Sequence, residues 1–214
     1  MNFVGHAFVS GSYDLFMAGH LLGDASNGVL LEGAPDRLKD GVRAHHGLDR
    51  FTDRHPAVLE GATILSESGG RYGPVLMDVA MDYFLVKHWQ RWRAEAFACF
   101  AERVYGALKR HAAVLPGAMG KLAEGIVERD YFGRFTSMES LAFVFERLAG
   151  RTSRPHLVRD AGAVVKRHAD VLERLTIAFL DDPGVRAFSS EPRNLNDQSS
   201  WEVAMVEMRD QPLT

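Results

Sequence analysis

Cysteine is almost missing from this sequence, which has only Cys99 among 214 residues. A single cysteine excludes an intramolecular disulfide, a redox-active CxxC pair and a zinc site built from cysteines. A large excess of either charge is missing too, because 25 Lys and Arg stand against 28 Asp and Glu, a net charge of −3. We therefore expect no binding to nucleic acid driven by overall positive charge.

Targeting and membrane segments are also missing. The N-terminus has no basic residue before its apolar stretch, and His6 and Asp14 interrupt that stretch, whereas a signal peptide needs a basic start and an unbroken apolar core. The most apolar later stretch, 74–89, carries Asp78 and Asp82, which would be costly inside lipid. We therefore expect a cytoplasmic protein without a membrane span.

Helical periodicity is present along most of the chain, and 46% of the residues are hydrophobic, enough for one sizeable core. Residues typical of helix starts agree with this pattern, such as the capping sequence at 136–139 and the Gly-Pro pair at 73–74. The predicted helices cover 13–24, 37–55, 56–70, 74–93, 95–114, 117–130, 137–150 and 156–180. The sequence predicts an all-α, single compact helical domain of seven to nine helices at 1–188, followed by a polar, mobile tail at 189–214.

Histidine and aspartate are concentrated in the first 88 residues, which hold six of the nine histidines. Four pairs are spaced by four residues, one helical turn, so that each pair projects from one helix face. These pairs are His20 with Asp24, His45 with Asp49, Asp49 with Asp53, and Asp78 with Asp82.

The pair Asp78 and Asp82 lies in a segment that is apolar nearly all round, which predicts burial. Two buried carboxylates repel each other and lose hydration unless a cation, a proton or strong donors compensate. A divalent ion with oxygen and imidazole ligands would offset several carboxylates at once, which favours a helical metal-dependent hydrolase. Surface or capping arrangements remain the alternative for each pair taken alone.

Two helical segments are rich in positive charge. Residues 85–114 hold six Lys and Arg against two acids, and residues 151–174 hold six against three. Such faces are either ordinary solvated helix surfaces or a docking surface for an acidic partner.

Four segments together resemble the acyl carrier protein phosphodiesterases, a family related to the HD-domain phosphohydrolases. The segments are 1–6 (MNFVGH), 19–24 (GHLLGD), 41–56 (GVRAHHGLDRFTDRHP) and 78–89 (DVAMDYFLVKHW). The resemblance implies an HD-domain-like helical fold. It also implies hydrolysis of the phosphodiester that joins 4′-phosphopantetheine to a serine of holo-acyl carrier protein, a strongly acidic partner, with Mn²⁺ or a similar ion such as Mg²⁺ or Fe²⁺.

The resemblance also implies the site residues. Catalytic roles fall to Asp24, Asp49 and Asp78. The ion is expected to bind His6, Asp24, His45, Asp49 and Asp82. Substrate contacts are expected from Arg43, Lys87 and Arg91.

Two positions depart from the family pattern. The family has Asp-His where this chain has Asp82-Tyr83, which removes one imidazole, and Gly-Asn-Leu where this chain has Gly19-His20-Leu21, which adds one. Two alternatives to the carrier-protein phosphodiesterase therefore remain open. One is a related hydrolase of another phosphate ester, and the other is a non-catalytic relative that binds acyl carrier protein.

Overall fold

The computed structural model describes residues 1–26 and 31–188 of the chain. Within these two ranges all regular structure is helical, and the described residues include no strand, so the all-α prediction is confirmed. The α-helices are α1 (Phe3–Ser10), α2 (Leu15–Leu22), α3 (Asp36–Thr52), α4 (Pro56–Gly69), α5 (Gly73–Lys87), α6 (Phe97–His111), α7 (Gly117–Glu128), α8 (Met138–Ala149), α9 (His156–Arg159), α10 (Ala161–Arg167), α11 (Ala169–Asp181) and α12 (Pro183–Ala187). The predicted tail at 189–214 lies outside the described residues.

The described residues form twelve α-helices where seven to nine were predicted, because one predicted helix is divided into three and because α1 and α12 were not predicted. The stretch 156–180 is divided into α9, α10 and α11, with breaks at Asp160 and His168, where the backbone leaves helical geometry. Buried apolar residues continue on both sides of each break, so hydrophobic periodicity alone could not reveal them. Helix α1 was not predicted, because its eight residues are mostly apolar and carry no capping signal.

Side-chain caps define several helix starts. Ser137 Oγ accepts a hydrogen bond from the backbone N–H of Ser140, so the cap lies one residue after Thr136, the first residue of the capping sequence predicted at 136–139. Asp14 accepts one from the backbone N–H of Phe16 at 2.8 Å and also pairs with Arg37 of α3 at 3.0 Å. Asp14 therefore both begins α2 and ties it to α3.

Helices α2 and α3 pack with their backbones in contact, and two glycines make this possible. A Cβ on Gly19 would lie 2.1 Å from the carbonyl oxygen of Leu38, and a Cβ on Gly41 would lie 2.0 Å from that of Phe16. The close approach places His45 of α3 against the C-terminal part of α2, where its Nδ1 lies 2.8 Å from the carbonyl oxygen of His20.

Around this pair the remaining helices enclose one apolar core that runs through the described part of the chain, with Phe84, Phe100 and Phe145 fully buried. Helix α5 packs against α4 and α1, and α11 packs against both α4 and α5. None of the described helices has the length and apolar character needed to span a bilayer.

We predict that Gly41→Ala destabilises the protein by about 2 kcal/mol, because the new methyl group collides with backbone that has no room to move. Urea denaturation measures this loss. The matched control is Gly106→Ala in α6, where the nearest atom is the flexible end of Arg110 at 3.4 Å, and the higher helix propensity of alanine is expected to add up to about 1 kcal/mol. Equal stabilities of the two variants would contradict the close α2–α3 contact.

Candidate metal centre

Three helices and one short turn bring together a cluster of imidazole and carboxylate groups. We call it the His/Asp cluster, and it consists of His6 of α1, His20 of α2, Asp24 of the turn after α2, and His45 and Asp49 of α3. The three histidines are buried, Asp49 is partly exposed and Asp24 is mostly exposed. The cluster therefore has a closed imidazole side and an open carboxylate side.

Asp49 joins the two histidines that flank it. Its Oδ1 lies 3.1 Å from His6 Nε2 and its Oδ2 lies 3.1 Å from His45 Nε2. Asp24 Oδ1 is 3.2 Å from the same His45 nitrogen. The His6 and His45 rings stack with centroids 4.1 Å apart. Two imidazole nitrogens and three carboxylate oxygens thus converge on one small region.

The second nitrogens of the rings are held by further hydrogen bonds. His45 Nδ1 donates to the His20 carbonyl oxygen at 2.8 Å, and His6 Nδ1 lies 3.2 Å from His20 Nδ1. His6 Nε2 is also 3.0 Å from the Met1 carbonyl oxygen. Such outer contacts orient imidazoles in metal sites. His20 Nε2 is buried and has no hydrogen-bond partner in the described ranges.

Burial and neighbouring charges shift the pKa values of these groups in different directions. Burial lowers the pKa of His6 to about 4 and places that of His20 well below its ordinary value, so both rings are neutral at pH 7. His45 is buried as well, but hydrogen bonds to Asp24 and Asp49 outweigh burial and raise its pKa to about 9. The hydrogen bonds from His45 and His6 likewise outweigh the burial of Asp49 and hold its pKa far below the ordinary range. A positive charge between Asp24 and Asp49 is therefore strongly favoured.

Asp82 was expected to bind the ion, and its position corrects that expectation. It is fully buried, and its two oxygens accept the backbone N–H groups of Val4 and Gly5 at 2.8 and 3.0 Å. Burial still raises the pKa of Asp82 to about 7, despite these two donors. The first turn of α1 has free N–H groups that a carboxylate can satisfy, so Asp82 anchors the helix that carries His6.

Asp78, expected to be catalytic, lies close to the cluster but is bound to another group. Its Oδ1 accepts a hydrogen bond from the Met1 amino group at 3.0 Å, and its side chain is one-third exposed. Tyr83, which stands in the place of the family histidine, packs its ring edge-on against Phe84. The third imidazole of the cluster comes from His20. In the sequence, its spacing of four residues from Asp24 indicated this residue.

The three cations expected to bind substrate are not part of this region. Each is exposed and pairs with a carboxylate of its own chain: Arg43 with Asp40, Lys87 with Glu173, and Arg91 with Asp181. Surface lysines and arginines readily find such partners on neighbouring helix turns. The expectation for these three residues is not supported by their positions.

A groove of about 440 Å³ opens beside the cluster, between the N-terminal segment, α5, α7 and α8. Asp24 and Asp78 line its side next to the cluster. Its apolar lining includes Val79, Ile126 and Val144, which are buried. Four cations also line it, namely Lys121, Arg129, Arg147 and Arg151. Sequence reasoning missed these four, because they stand far from the His/Asp motifs along the chain.

Comparison with known proteins identifies the relatives of this chain. A sequence model described as acyl carrier protein phosphodiesterase matches residues 1–182. The chain belongs to the acyl carrier protein phosphodiesterase family. The resemblance noted in the four motifs is thereby confirmed.

Individual members of the family are moderately similar to this chain in sequence. The acyl carrier protein phosphodiesterase of Enterobacter sp. (strain 638) is 28% identical over 176 residues, which cover 81% of this chain and 90% of that protein. The protein of the same name from Yersinia pestis is 27% identical over 182 residues, covering 84% and 93%. No solved structure matches the chain, so the relation to HD-domain proteins stays a prediction.

The raised pKa of His45 predicts a pH-dependent stability of the metal-free protein. Its pKa is about 9 in the folded state against an ordinary 6.5, so only the folded state keeps this proton between the two values. The free energy of unfolding should therefore fall as pH rises from 6.5 to 9, by on the order of 2 kcal/mol. Urea denaturation in EDTA at several pH values measures this slope.

The variant His45→Gln serves as the reference, because it keeps a polar side chain but cannot titrate. Subtracting its profile removes the contributions of other groups, such as the Met1 amino group, whose pKa is also raised. An identical slope in the variant would show that His45 is not the group responsible.

Proposed function

We propose that this chain is a divalent-metal-dependent phosphodiesterase that removes 4′-phosphopantetheine from holo-acyl carrier protein, with Mn²⁺ as the expected ion. The observation that carries the proposal is the convergence of His6, His45, Asp24 and Asp49 beside a groove in a member of this family. The names of the relatives support acyl carrier protein as the substrate.

The donor set fits a divalent ion. Imidazole nitrogen and carboxylate oxygen are ligands that Mn²⁺, Mg²⁺ and Fe²⁺ accept, and no cysteine is involved. Neighbouring donor atoms lie 3.1–3.2 Å apart. Ligands at about 2.1 Å from one ion are separated by roughly 3.0–3.4 Å in octahedral or tetrahedral arrangements, so little movement is needed. His6, Asp24, His45 and Asp49 would hold the ion.

The charge state of the cluster also favours a cation. Without an ion, the protonated His45 ring supplies the positive charge between Asp24 and Asp49. A divalent ion would take over this role and release the proton, which leaves the His45 nitrogen free to act as a ligand. Burial already keeps the His6 ring neutral, and to bind an ion through Nε2 the ring would carry its proton on Nδ1, facing His20 Nδ1.

The reaction itself exchanges one bond to phosphorus for another. When bound, the ion supplies positive charge to the phosphate oxygens and promotes the ionisation of water. The oxygen of water attacks phosphorus while the bond from phosphorus to the serine Oγ breaks. One proton leaves the water and one is gained by the serine oxygen, so the products are apo-acyl carrier protein and 4′-phosphopantetheine.

Asp24 is the carboxylate best placed to take the proton from water. Its side chain is 78% exposed, and it is the one member of the His/Asp cluster that lines the groove. Asp78 also lines the groove, but its Oδ1 is held by the Met1 amino group. We therefore assign the base to Asp24 and a supporting electrostatic role to Asp78.

We predict that Asp49→Asn lowers Mn²⁺-dependent release of 4′-phosphopantetheine by about a hundredfold or more, because the amide loses the charge and one of the two acceptor oxygens. Mass spectrometry of the carrier protein follows the release, and calorimetry measures Mn²⁺ affinity, which should fall in parallel.

Asp40→Asn is the matched control, since Asp40 lies on the same helix but pairs with Arg43 at the surface. It should retain wild-type turnover and metal affinity. Wild-type protein that releases no 4′-phosphopantetheine with Mn²⁺ would refute the proposed reaction. Unchanged metal affinity in Asp49→Asn would remove this residue from the centre.

A further inference from the structure

The cations of the groove lack the ion pairs that some other cations in the described part of the chain form. Seven Lys and Arg side chains outside the groove pair with carboxylates of the chain: Arg37, Lys39, Arg43, Lys87, Arg91, Arg103 and Arg159. The four groove cations, Lys121, Arg129, Arg147 and Arg151, have no carboxylate partner in the described ranges. Their charge is therefore available to an anionic ligand.

The two acids of the groove do not cancel this charge. Asp24 is bound to His45, and Asp78 is bound to the Met1 amino group. Arg147 and Arg151 line the groove together with Tyr131. The groove as a whole is positive, although the protein carries a net charge of −3.

The lining between these charges includes apolar side chains and one glycine. Val79, Ile126 and Val144 form a buried surface along α5, α7 and α8. Gly125 of α7 also lines the groove, and a Cβ there would meet only the flexible end of the Arg129 side chain, at 2.6 Å. A larger side chain at position 125 would therefore require the Arg129 guanidinium to move.

We propose that this groove binds the prosthetic arm of the carrier-protein substrate, an inference that rests on the proposed function. The arm is an extended, uncharged amide chain with a phosphate at one end, and it matches in size a groove of about 440 Å³ whose lining combines apolar side chains with cations. The phosphodiester lies at the Asp24 end, beside the His/Asp cluster. The arm lies against the apolar lining at Gly125, and the four groove cations attract the anionic substrate.

Gly125→Leu tests the position of the arm, because its side chain would occupy the groove. Metal-free protein in EDTA gives no turnover, so calorimetry can compare the affinities for holo- and apo-acyl carrier protein. Wild type should bind the holo form about tenfold more tightly, and the variant should lose this preference. Its thermal stability should equal or exceed that of wild type, because leucine is a better helix former than glycine.

Gly120→Leu is the matched control on the same helix. Gly120 does not line the groove, and a Cβ there makes only an ordinary contact with Leu115 at 3.5 Å. This variant should keep the wild-type preference for the holo form. A wild-type protein without that preference, or a Gly125→Leu variant that retains it, would overturn the proposal.

The role of the cations is tested by the double variant Arg147→Gln/Arg151→Gln. Its affinity for the holo form should fall about tenfold at low salt, and the affinity should depend less on salt concentration than in wild type. Arg54→Gln/Arg71→Gln removes the same charge from two exposed positions that lie outside the groove and outside both basic segments, and it should behave as wild type. Equal losses in both double variants would overturn the role of the groove cations.

These results also separate this proposal from the proposed reaction. A holo preference that Gly125→Leu removes, in a protein that shows no turnover with Mn²⁺, would support the groove and refute the reaction. Turnover in wild type together with an unchanged holo preference in Gly125→Leu would refute the groove and support the reaction.

Discussion

The shared carboxylate of Asp49 is the interaction on which the site depends, because it binds His6 through one oxygen and His45 through the other. These histidines come from α1 and α3, which are separated by α2 in the chain. Gly19 and Gly41 let α2 and α3 pack with their backbones in contact, which places α3, the helix of Asp49 and His45, directly against α2. A small change in the spacing of these helices would separate the donor atoms.

Buried charge elsewhere in the protein is stabilised by backbone groups rather than by an ion. Asp82 is the clearest case, since its two oxygens satisfy N–H groups at the start of α1. A helix N-terminus presents free donors and a partial positive charge, which together compensate part of the cost of burial, although the pKa of Asp82 is still raised to about 7. Two carboxylates with the same sequence signal, Asp49 and Asp82, therefore have different roles.

Some cations of the protein form ion pairs with its own acids, whereas the groove cations are available to a ligand. Outside the groove, seven lysine and arginine side chains form ion pairs with acids of the chain, and exposed pairs of this kind have small energy. Around the groove, α7 and α8 bring arginines together without matching acids. An enzyme that acts on an acidic carrier protein would use such a positive region for encounter and orientation.

The helical class, most helix starts and the family could be predicted from the sequence, because periodicity, capping residues and local motifs are properties of neighbouring residues. The i,i+4 spacing also indicated Asp24, His45 and Asp49 as candidates, since it records which residues share a helix face, and the family resemblance added His6. Only the tertiary structure decided that His20 joins this cluster, that Asp82 anchors α1 and that four distant cations surround one groove. The physical reason is that these roles depend on contacts between helices far apart in the chain, and helix periodicity carries no information about which helices meet.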